Sequence, residues 1–211
     1  MAEGGALLRR YTGLNRYRGF ESLSLRQPPF TMTNPQAQAG LVVPSIDNDV
    51  KMVIWDLDDT FWNGTLSEEG VAVVEASAMA VRALAARGIV SSIASKNDFE
   101  AAKDVLEHAG VWEYFVFPSI SFDAKGKKVA EIISAASLRA ENVLFIDDNL
   151  GNLGEARFYN PGIMLARPGE IPRLLEHPRL AGKPDLELKR LRQYRVLQRK
   201  FADQSSAGVS K

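Results

Sequence analysis

The chain has 211 residues, 45% hydrophobic and 25% charged, and its 26 basic side chains balance 26 acidic ones. This size and composition predict one globular domain, with or without tails. No apolar stretch approaches the roughly 20 residues of a membrane span, and none near Met1 has the apolar core of a signal peptide. We therefore expect a soluble, cytoplasmic protein with no membrane partner. The lack of cysteine excludes disulfides, thiol nucleophiles and cysteine zinc sites, and the zero net charge argues against nucleic acid as a partner.

Residues 1–50 carry arginines and a run rich in Pro, Gln and Asn, with no sustained hydrophobic period. We expect a flexible N-terminal extension here. An arginine-bearing, acid-poor start is also typical of an organelle transit peptide. The amphipathic stretch is short and is broken by Gly13 and Gly19, so the extension is the favoured interpretation.

From Lys51 onwards, apolar runs of strand length alternate with helical patterns. The predicted strands are 52–55, 89–94, 114–117, 143–146 and 163–166. The predicted helices lie near 74–85, ended by Gly88; 99–109, capped by Asn97 or Asp98 and ended by Gly110; and 129–136. Strands that alternate with single helices favour right-handed crossovers and a mostly parallel sheet covered on both faces. The predicted fold class is therefore α/β, a Rossmann-like three-layer sandwich, over residues 51–180.

Residues 181–211 form the last predicted region, with one basic amphipathic helix over 184–204 followed by a tail. The favoured interpretation is that this helix packs its apolar stripe and exposes its charges to solvent. Binding of an acidic carrier protein or of nucleic acid is the alternative.

The polar residues that follow the apolar runs are the candidates for chemistry, because ligands of open parallel sheets bind beyond the carboxyl ends of the strands. They are Asp56, Asp58, Asp59 and Thr60; Ser95 and Asn97; and Asp147 and Asp148. Lys125 opens the helix before the 143–146 strand. Several carboxylates at one edge repel one another unless a cation offsets their charge. Oxygen-only ligands and the lack of cysteine favour Mg²⁺.

Such a site can transfer a phosphoryl group. Asp56, at a strand end, is placed to attack phosphorus and form an aspartyl phosphate. Asp58, two residues later on an extended segment, points to the same side and can act as acid and base. The Ser95 hydroxyl and the Lys125 ammonium can hold the phosphoryl oxygens. An Asp-x-Asp pair alone is more often a turn former, so the inference depends on the whole set occurring in register.

This set resembles the four motifs of the haloacid dehalogenase (HAD) superfamily. The segments around Asp56-Leu57-Asp58-Asp59-Thr60, Ser95-Lys96-Asn97-Asp98 and Asp147-Asp148-Asn149 resemble more narrowly the HAD-IIIC, FkbH-like group, over roughly residues 51–168. The resemblance implies a HAD-like fold and a phosphoaspartyl mechanism with Asp56 as nucleophile and Asp58 as acid and base. It also implies Mg²⁺ held by Asp56, the Asp58 carbonyl and Asp148, with Ser95 and Lys125 on the phosphate. Asp147, Thr60 and Asn97 are candidates for supporting roles.

Two features bear on how far the resemblance extends. Asp59 stands where the family more often has Asn, and we expect its side chain to point away from the metal. The intervals from Thr60 to Ile89 and from Ser95 to Lys125 are short, which resembles the capless branch of the superfamily. An open site of this kind suits large phosphorylated substrates, carrier-bound groups, or homo-oligomers in which a neighbouring subunit supplies a lid.

The leading hypothesis is therefore a Mg²⁺-dependent phosphatase or phosphotransferase. The first alternative is FkbH-like glyceryl or acyl transfer from a phosphorylated donor to a carrier protein, whose thiol must come from another chain. The second is a non-catalytic partner-binding module with a vestigial HAD site.

Overall fold

The computed structural model describes residues 46–67 and 70–208, with side chains as far as Asp203. Of the predicted N-terminal extension, residues 1–45 lie outside the described part. The strands are β1 (Met52–Trp55), β2 (Trp62–Asn63), β3 (Ala72–Val73), β4 (Val90–Ser95), β5 (Ser119–Ile120), β6 (Val143–Ile146) and β7 (Met164–Ala166). The α-helices are α1 (Glu75–Ala86), α2 (Phe99–His108), α3 (Lys125–Ala135), α4 (Leu150–Tyr159) and α5 (Lys189–Gly208).

The main sheet has five parallel strands in the order β5-β4-β1-β6-β7. β1 is central and all four of its residues are buried, as a strand covered on both faces requires. Its side chains alternate between two cores: Val53 and Trp55 pack with residues of α1 and α2, whereas Met52 and Ile54 pack with residues of α3, α4 and α5. The predicted α/β three-layer sandwich is therefore confirmed.

All five main strands run the same way, so the sheet has two distinct edges. The carboxyl edge is the set of strand ends at Trp55, Ser95 and Ile146, and the amino edge is the set of strand starts at Met52 and Val143. Polar residues that directly follow β1, β4 and β6 must therefore meet at the carboxyl edge.

The third predicted strand, 114–117, is wrong. Residues Trp112–Tyr114 form a 3-10 turn, Phe115 makes only an isolated parallel bridge to Ser91, and the edge strand is Ser119–Ile120. Phe117 has φ +50, which breaks an extended run. Its N–H donates to the side chain of Gln198 in α5 instead of to a neighbouring strand.

The helix ends follow the predicted glycines, since Gly88 and Gly110 have φ of +66 and +62 directly after α1 and α2. Of the two predicted caps for α2, Asp98 is the one whose side chain accepts the N–H of Ala101. The last helix, α5, begins at Lys189 rather than 184, because Leu188 has φ +52. Its stripe packs on the sandwich through buried Leu191 and Tyr194.

Helices α3 and α4 pack unusually closely at Gly126. A Cβ at this position would lie 2.6 Å from the Tyr159 ring and 2.8 Å from the Glu155 carbonyl oxygen. The absence of a side chain at residue 126 therefore lets the two helices approach. Lys125, the first residue of α3, directly precedes Gly126.

Little of the described chain is available to cover the carboxyl edge. The elements described between β1 and β4 are the antiparallel hairpin β2-β3 and helix α1. α1 is committed to the core through Ala78, Val81 and Leu84. None of the described helices is long and apolar enough to cross a membrane.

Candidate active site

A buried ion-pair network occupies the carboxyl edge. Asp56 follows β1, and its N–H donates to the Ile146 carbonyl of β6, so the backbone of Asp56 is held by the sheet. Nζ of Lys125 lies 2.6 Å from Oδ1 of Asp56 and 2.8 Å from Oδ2 of Asp147. The exposed fraction of these three side chains is 5% or less. One ammonium group therefore faces two buried carboxylates, a charge balance that favours a further cation.

Burial and charge raise the pKa values of two acids in this network. The pKa of Asp56 is raised to about 6, chiefly by burial, with Lys125 lowering it and Asp147 raising it. The pKa of Asp148 is also raised, again chiefly by burial, with the charge of Asp147 adding to the effect. Perturbed acids of this kind at a strand edge are typical of functional sites.

A divalent cation fits this group of acids. Asp56, Asp147 and Asp148 each offer a carboxylate oxygen, and these oxygens lie within 4.8 Å of one another. Opposite oxygens around Mg²⁺ are about 4 Å apart, because each lies roughly 2.1 Å from the ion, so a group that spans up to 4.8 Å has to close slightly around it. Asp147, expected in a supporting role, thus belongs to the carboxylate group, whereas the Asp58 carboxylate does not. The predicted Asp58 contribution is its backbone carbonyl.

The side chain of Asp58 is tied to its surroundings by three hydrogen bonds. Its Oδ1 accepts from the Trp62 indole N–H at 2.9 Å and from the Leu66 backbone N–H at 3.1 Å. Its Oδ2 accepts from Asn97 at 3.2 Å. The half-buried carboxylate is therefore oriented by the hairpin and by the loop after β4, next to Asp56 but outside the ion-pair network.

Ser95 and Thr60 join the same network through their hydroxyl groups. The Ser95 hydroxyl donates to Oδ1 of Asp56 at 3.2 Å and accepts from Asn97 at 3.1 Å. The Thr60 hydroxyl accepts the backbone N–H of Asp148 at 3.1 Å, which links the loops after β1 and β6. The structure thus brings all the predicted site residues to one edge of the sheet.

Asp59 belongs to the hairpin loop, near enough to Asp148 for its charge to raise the pKa of that group. It has φ +49, and its Oδ1 accepts the Gly64 backbone N–H at 2.9 Å. The side chain closes a turn of the hairpin loop. That it points away from the metal stays a prediction.

Two residues at this edge lie outside the predicted set of site residues. Asn152 donates to Oδ1 of Asp147 at 3.0 Å. Lys128 is 2% exposed, and its ammonium donates to the carbonyls of Ser95, at 2.7 Å, and Ser121. The spacing of Lys128 was a usable signal, because a residue three positions after Lys125 in a helix lies on the same face of that helix.

A cavity of about 570 Å³ lies at the amino edge, away from these acids. Two of the arginines that line it have local partners: Arg179 pairs with Asp49 at 3.2 Å, and Arg87 donates to two backbone carbonyls. The cavity thus lies at one edge of the sheet, and the buried ionisable side chains lie at the other. We take the carboxyl edge as the candidate site, because its ionisable side chains are buried and two have raised pKa values, whereas the Arg179–Asp49 pair of the amino edge is exposed.

Comparisons with known proteins support the fold. No family model and no curated protein match the sequence. Among solved structures, the N-terminal part of a Bacteroides fragilis protein, containing a phosphatase domain and complexed with Mg, matches at 21% identity and a TM-score of 0.51; the match covers 66% of this chain and 42% of that one. A HAD-superfamily hydrolase from Ehrlichia chaffeensis matches at 12% identity, TM-score 0.48, over 61% of this chain and 97% of that one. The 3-deoxy-D-manno-octulosonate 8-phosphate phosphatase of Moraxella catarrhalis matches at 14% identity, TM-score 0.46, over 83% and 98%.

The Bacteroides match establishes a class of fold. The chain shares the α/β architecture of a solved domain described as a phosphatase domain, and the predicted α/β fold class is confirmed. The match spans less than half of the Bacteroides chain, so it bears on one domain of that protein.

Proposed function

We propose that this chain is a Mg²⁺-dependent phosphohydrolase or phosphotransferase of the HAD type, acting through an aspartyl phosphate on Asp56. One observation carries the proposal: a buried strand-end carboxylate contacts a buried lysine and shares its edge with two further carboxylates. This is the arrangement that an attacking carboxylate, a phosphoryl group and a neutralising cation need. The phosphatase domain of similar fold was solved with Mg.

Asp56 and Asp148, with the Asp58 carbonyl, would hold Mg²⁺, and Asp147 lies close enough to assist. When bound, the ion supplies positive charge that stabilises the transferring phosphoryl oxygens and favours the ionised form of Asp56. The remaining tasks fall to the side chains of this chain.

In the first step an Asp56 carboxylate oxygen attacks phosphorus, and the bond from phosphorus to the leaving oxygen breaks. The Asp58 carboxyl group gives its proton to that oxygen. In the second step Asp58 takes a proton from water, the water oxygen attacks the phosphorus of the acyl phosphate, and the bond from phosphorus to the Asp56 oxygen breaks. Inorganic phosphate leaves and Asp56 is regenerated. Throughout, Lys125 and Ser95 stabilise the phosphoryl oxygens, because both already contact Asp56 Oδ1.

The substrate class we propose is a large or protein-bound phosphorylated molecule. The support is the small amount of chain near the carboxyl edge, a two-stranded hairpin and one core helix. FkbH-like transfer to a carrier protein is the second candidate. It requires an acceptor thiol from a partner, since this sequence has no cysteine.

The test is phosphate release from p-nitrophenyl phosphate and a panel of phosphometabolites, with Mg²⁺ and with chelator. Asp56→Asn should lower release by at least about 10³-fold, because the nucleophile is lost. Asp59→Asn is the matched control: the same chemical change three residues away, in a side chain that accepts the Gly64 N–H and makes no contact with Lys125. It should retain activity within about threefold of the natural protein.

Equal activity of Asp56→Asn and the natural protein would contradict the proposed nucleophile. No release from any compound would contradict the hydrolase and favour carrier-dependent transfer. That reaction is then tested by incubating the protein with a phosphorylated glycerate donor and an acyl carrier protein, and measuring the mass of the carrier.

A further inference from the structure

Lys128 is a buried cation that the proposed mechanism does not use. Its side chain is 2% exposed, and among the described residues its ammonium forms hydrogen bonds to two carbonyl oxygens and no ion pair. Lysine is almost never fully buried without a carboxylate partner, because removing its charge from water is costly. A solvated lysine would fill this helix position at lower cost, as the exposed Lys127 does next to it.

The two carbonyls belong to the ends of neighbouring strands. Ser95 is the last residue of β4, and Ser121 directly follows β5. The Ser95 carbonyl also accepts the Ser121 N–H at 3.2 Å, so it receives donors from both the loop and Lys128. The ammonium therefore fixes the backbone of the residue whose hydroxyl contacts Asp56.

We propose that Lys128 is a positioning residue of the phosphoryl site, which holds Ser95 in place and adds a second buried positive charge for the phosphate. The inference rests on the proposed function and deepens it, since it implies a site matched to a doubly charged phosphoryl group. Lys125 faces the carboxylates directly, and Lys128, one helical turn away, supports the strand end behind Ser95.

The charge of Lys128 changes in an accessible pH range. Burial lowers its pKa to about 8. Four charged groups act on it: Asp123 before α3 and Asp56 after β1 raise the pKa, whereas Lys125 in α3 and Lys96 after β4 lower it. A neutral amine can still donate two hydrogen bonds, so a purely structural tie persists above this pH. The contribution of the positive charge to phosphate binding is lost above this pH.

The experiment measures the dissociation constant of inorganic phosphate by calorimetry in saturating Mg²⁺ between pH 7.5 and 9.5. The variants are Lys128→Met, Lys128→Arg and, as a matched control, Lys127→Met. For the natural protein and Lys127→Met, we expect affinity to fall about tenfold across this range as the charge is lost. Lys128→Met should bind weakly at every pH. Lys128→Arg stays charged and should show a flat profile.

Equal affinity and an identical pH profile in the natural protein and Lys128→Met would overturn the proposal. If Lys128→Met does not fold, the natural protein and Lys128→Arg decide: parallel pH profiles overturn the proposal, and a flat arginine profile supports it. Failure of the proposed function is seen separately, as absence of phosphate binding and of p-nitrophenyl phosphate turnover in the natural protein and in Lys127→Met alike.

Discussion

The two edges of the sheet use the same residue types in opposite ways. At the carboxyl edge, Lys125 pairs with Asp56 and Asp147, and all three side chains are at most 5% exposed. At the amino edge, Arg179 pairs with Asp49, with side-chain exposures of 49% and 77%, beside a cavity of about 570 Å³. Solvent screens the Arg179–Asp49 pair, so this pair changes the free energy of unfolding little. The first pair is desolvated, which gives each charge a large effect on its neighbours.

The difference shows that burial of charge, rather than the size of a cavity, marks the candidate site. A protein without a use for the carboxyl edge would be more stable with apolar residues there.

Replacing the basic side chain of each ion pair should give the largest difference in stability between the two edges. Lys125→Met leaves two buried carboxylates without their partner and should lower the free energy of unfolding by about 3–5 kcal/mol at pH 7. Arg179→Met should lower it by less than about 1 kcal/mol. Urea unfolding of both variants measures the difference. Mg²⁺ should restore part of the loss in Lys125→Met only, and equal losses in the two variants would contradict the contrast.

Removing the negative charge of Asp56 should stabilise the protein. Its pKa is raised to about 6 in the folded state from 3.8. The folded state therefore binds more protons than the unfolded state between these values, and stability falls as pH rises through that window. Asp56→Asn should be more stable by about 1–3 kcal/mol at pH 7, with the gain disappearing below about pH 4. Thermal unfolding at both pH values measures it, and a loss of stability at pH 7 would contradict the assignment.

Protons should compete with Mg²⁺ at the same carboxylates. Asp56 must be ionised to bind the cation, so the Mg²⁺ dissociation constant should rise as pH falls below about 6. The limiting slope for one proton is about tenfold per pH unit. Calorimetric titration from pH 5 to 7.5 tests this. Arg179→Met should leave the profile unchanged, and a flat profile would show that Asp56 is not a ligand.

The smallest effect concerns a single hydrogen bond. Thr60→Val removes the acceptor of the Asp148 N–H and should lower the free energy of unfolding by about 1 kcal/mol, whereas Thr60→Ser keeps the hydroxyl and should lose less. Asn142→Ala removes an exposed hydrogen bond to the Asp49 carbonyl at the amino edge and should cost less than about 0.5 kcal/mol. Urea unfolding of the three variants gives the order. An equal cost for Thr60→Val and Asn142→Ala would show that burial does not amplify this bond.

Part of this arrangement could be predicted from the sequence. Asp56, Ser95 and Asp147 directly follow apolar runs, so a parallel sheet brings them to one edge whatever the details of packing. Lys125 opens a helix whose period is visible in the sequence. These predictions depend only on short-range pattern and on the topology of α/β folds.

The rest could not be predicted, because it depends on parts of the chain that are distant in sequence. Phe117 leaves the extended conformation and donates its N–H to Gln198, which is 81 positions away in sequence. The burial of Lys128 depends on how closely α3 approaches β4, which no local pattern encodes. Likewise, the place of Asp147 among the clustered carboxylates depends on side-chain direction rather than on position in the motif.

The close approach at Gly126 has a consequence for how this protein can evolve. α3 carries Lys125, and α4 begins directly after Asp147, Asp148 and Asn149. A methyl group at residue 126 would meet the Glu155 carbonyl oxygen at 2.8 Å, and main chain cannot move aside as a flexible side chain can. The distance between the Lys125 ammonium and the acids before α4 therefore depends on a helix contact that only glycine fits at residue 126. We expect that α3 and α4 can be exchanged between related proteins only as a pair. If α3 alone is grafted, Lys125 should be present but not at its native distance from Asp56 and Asp147.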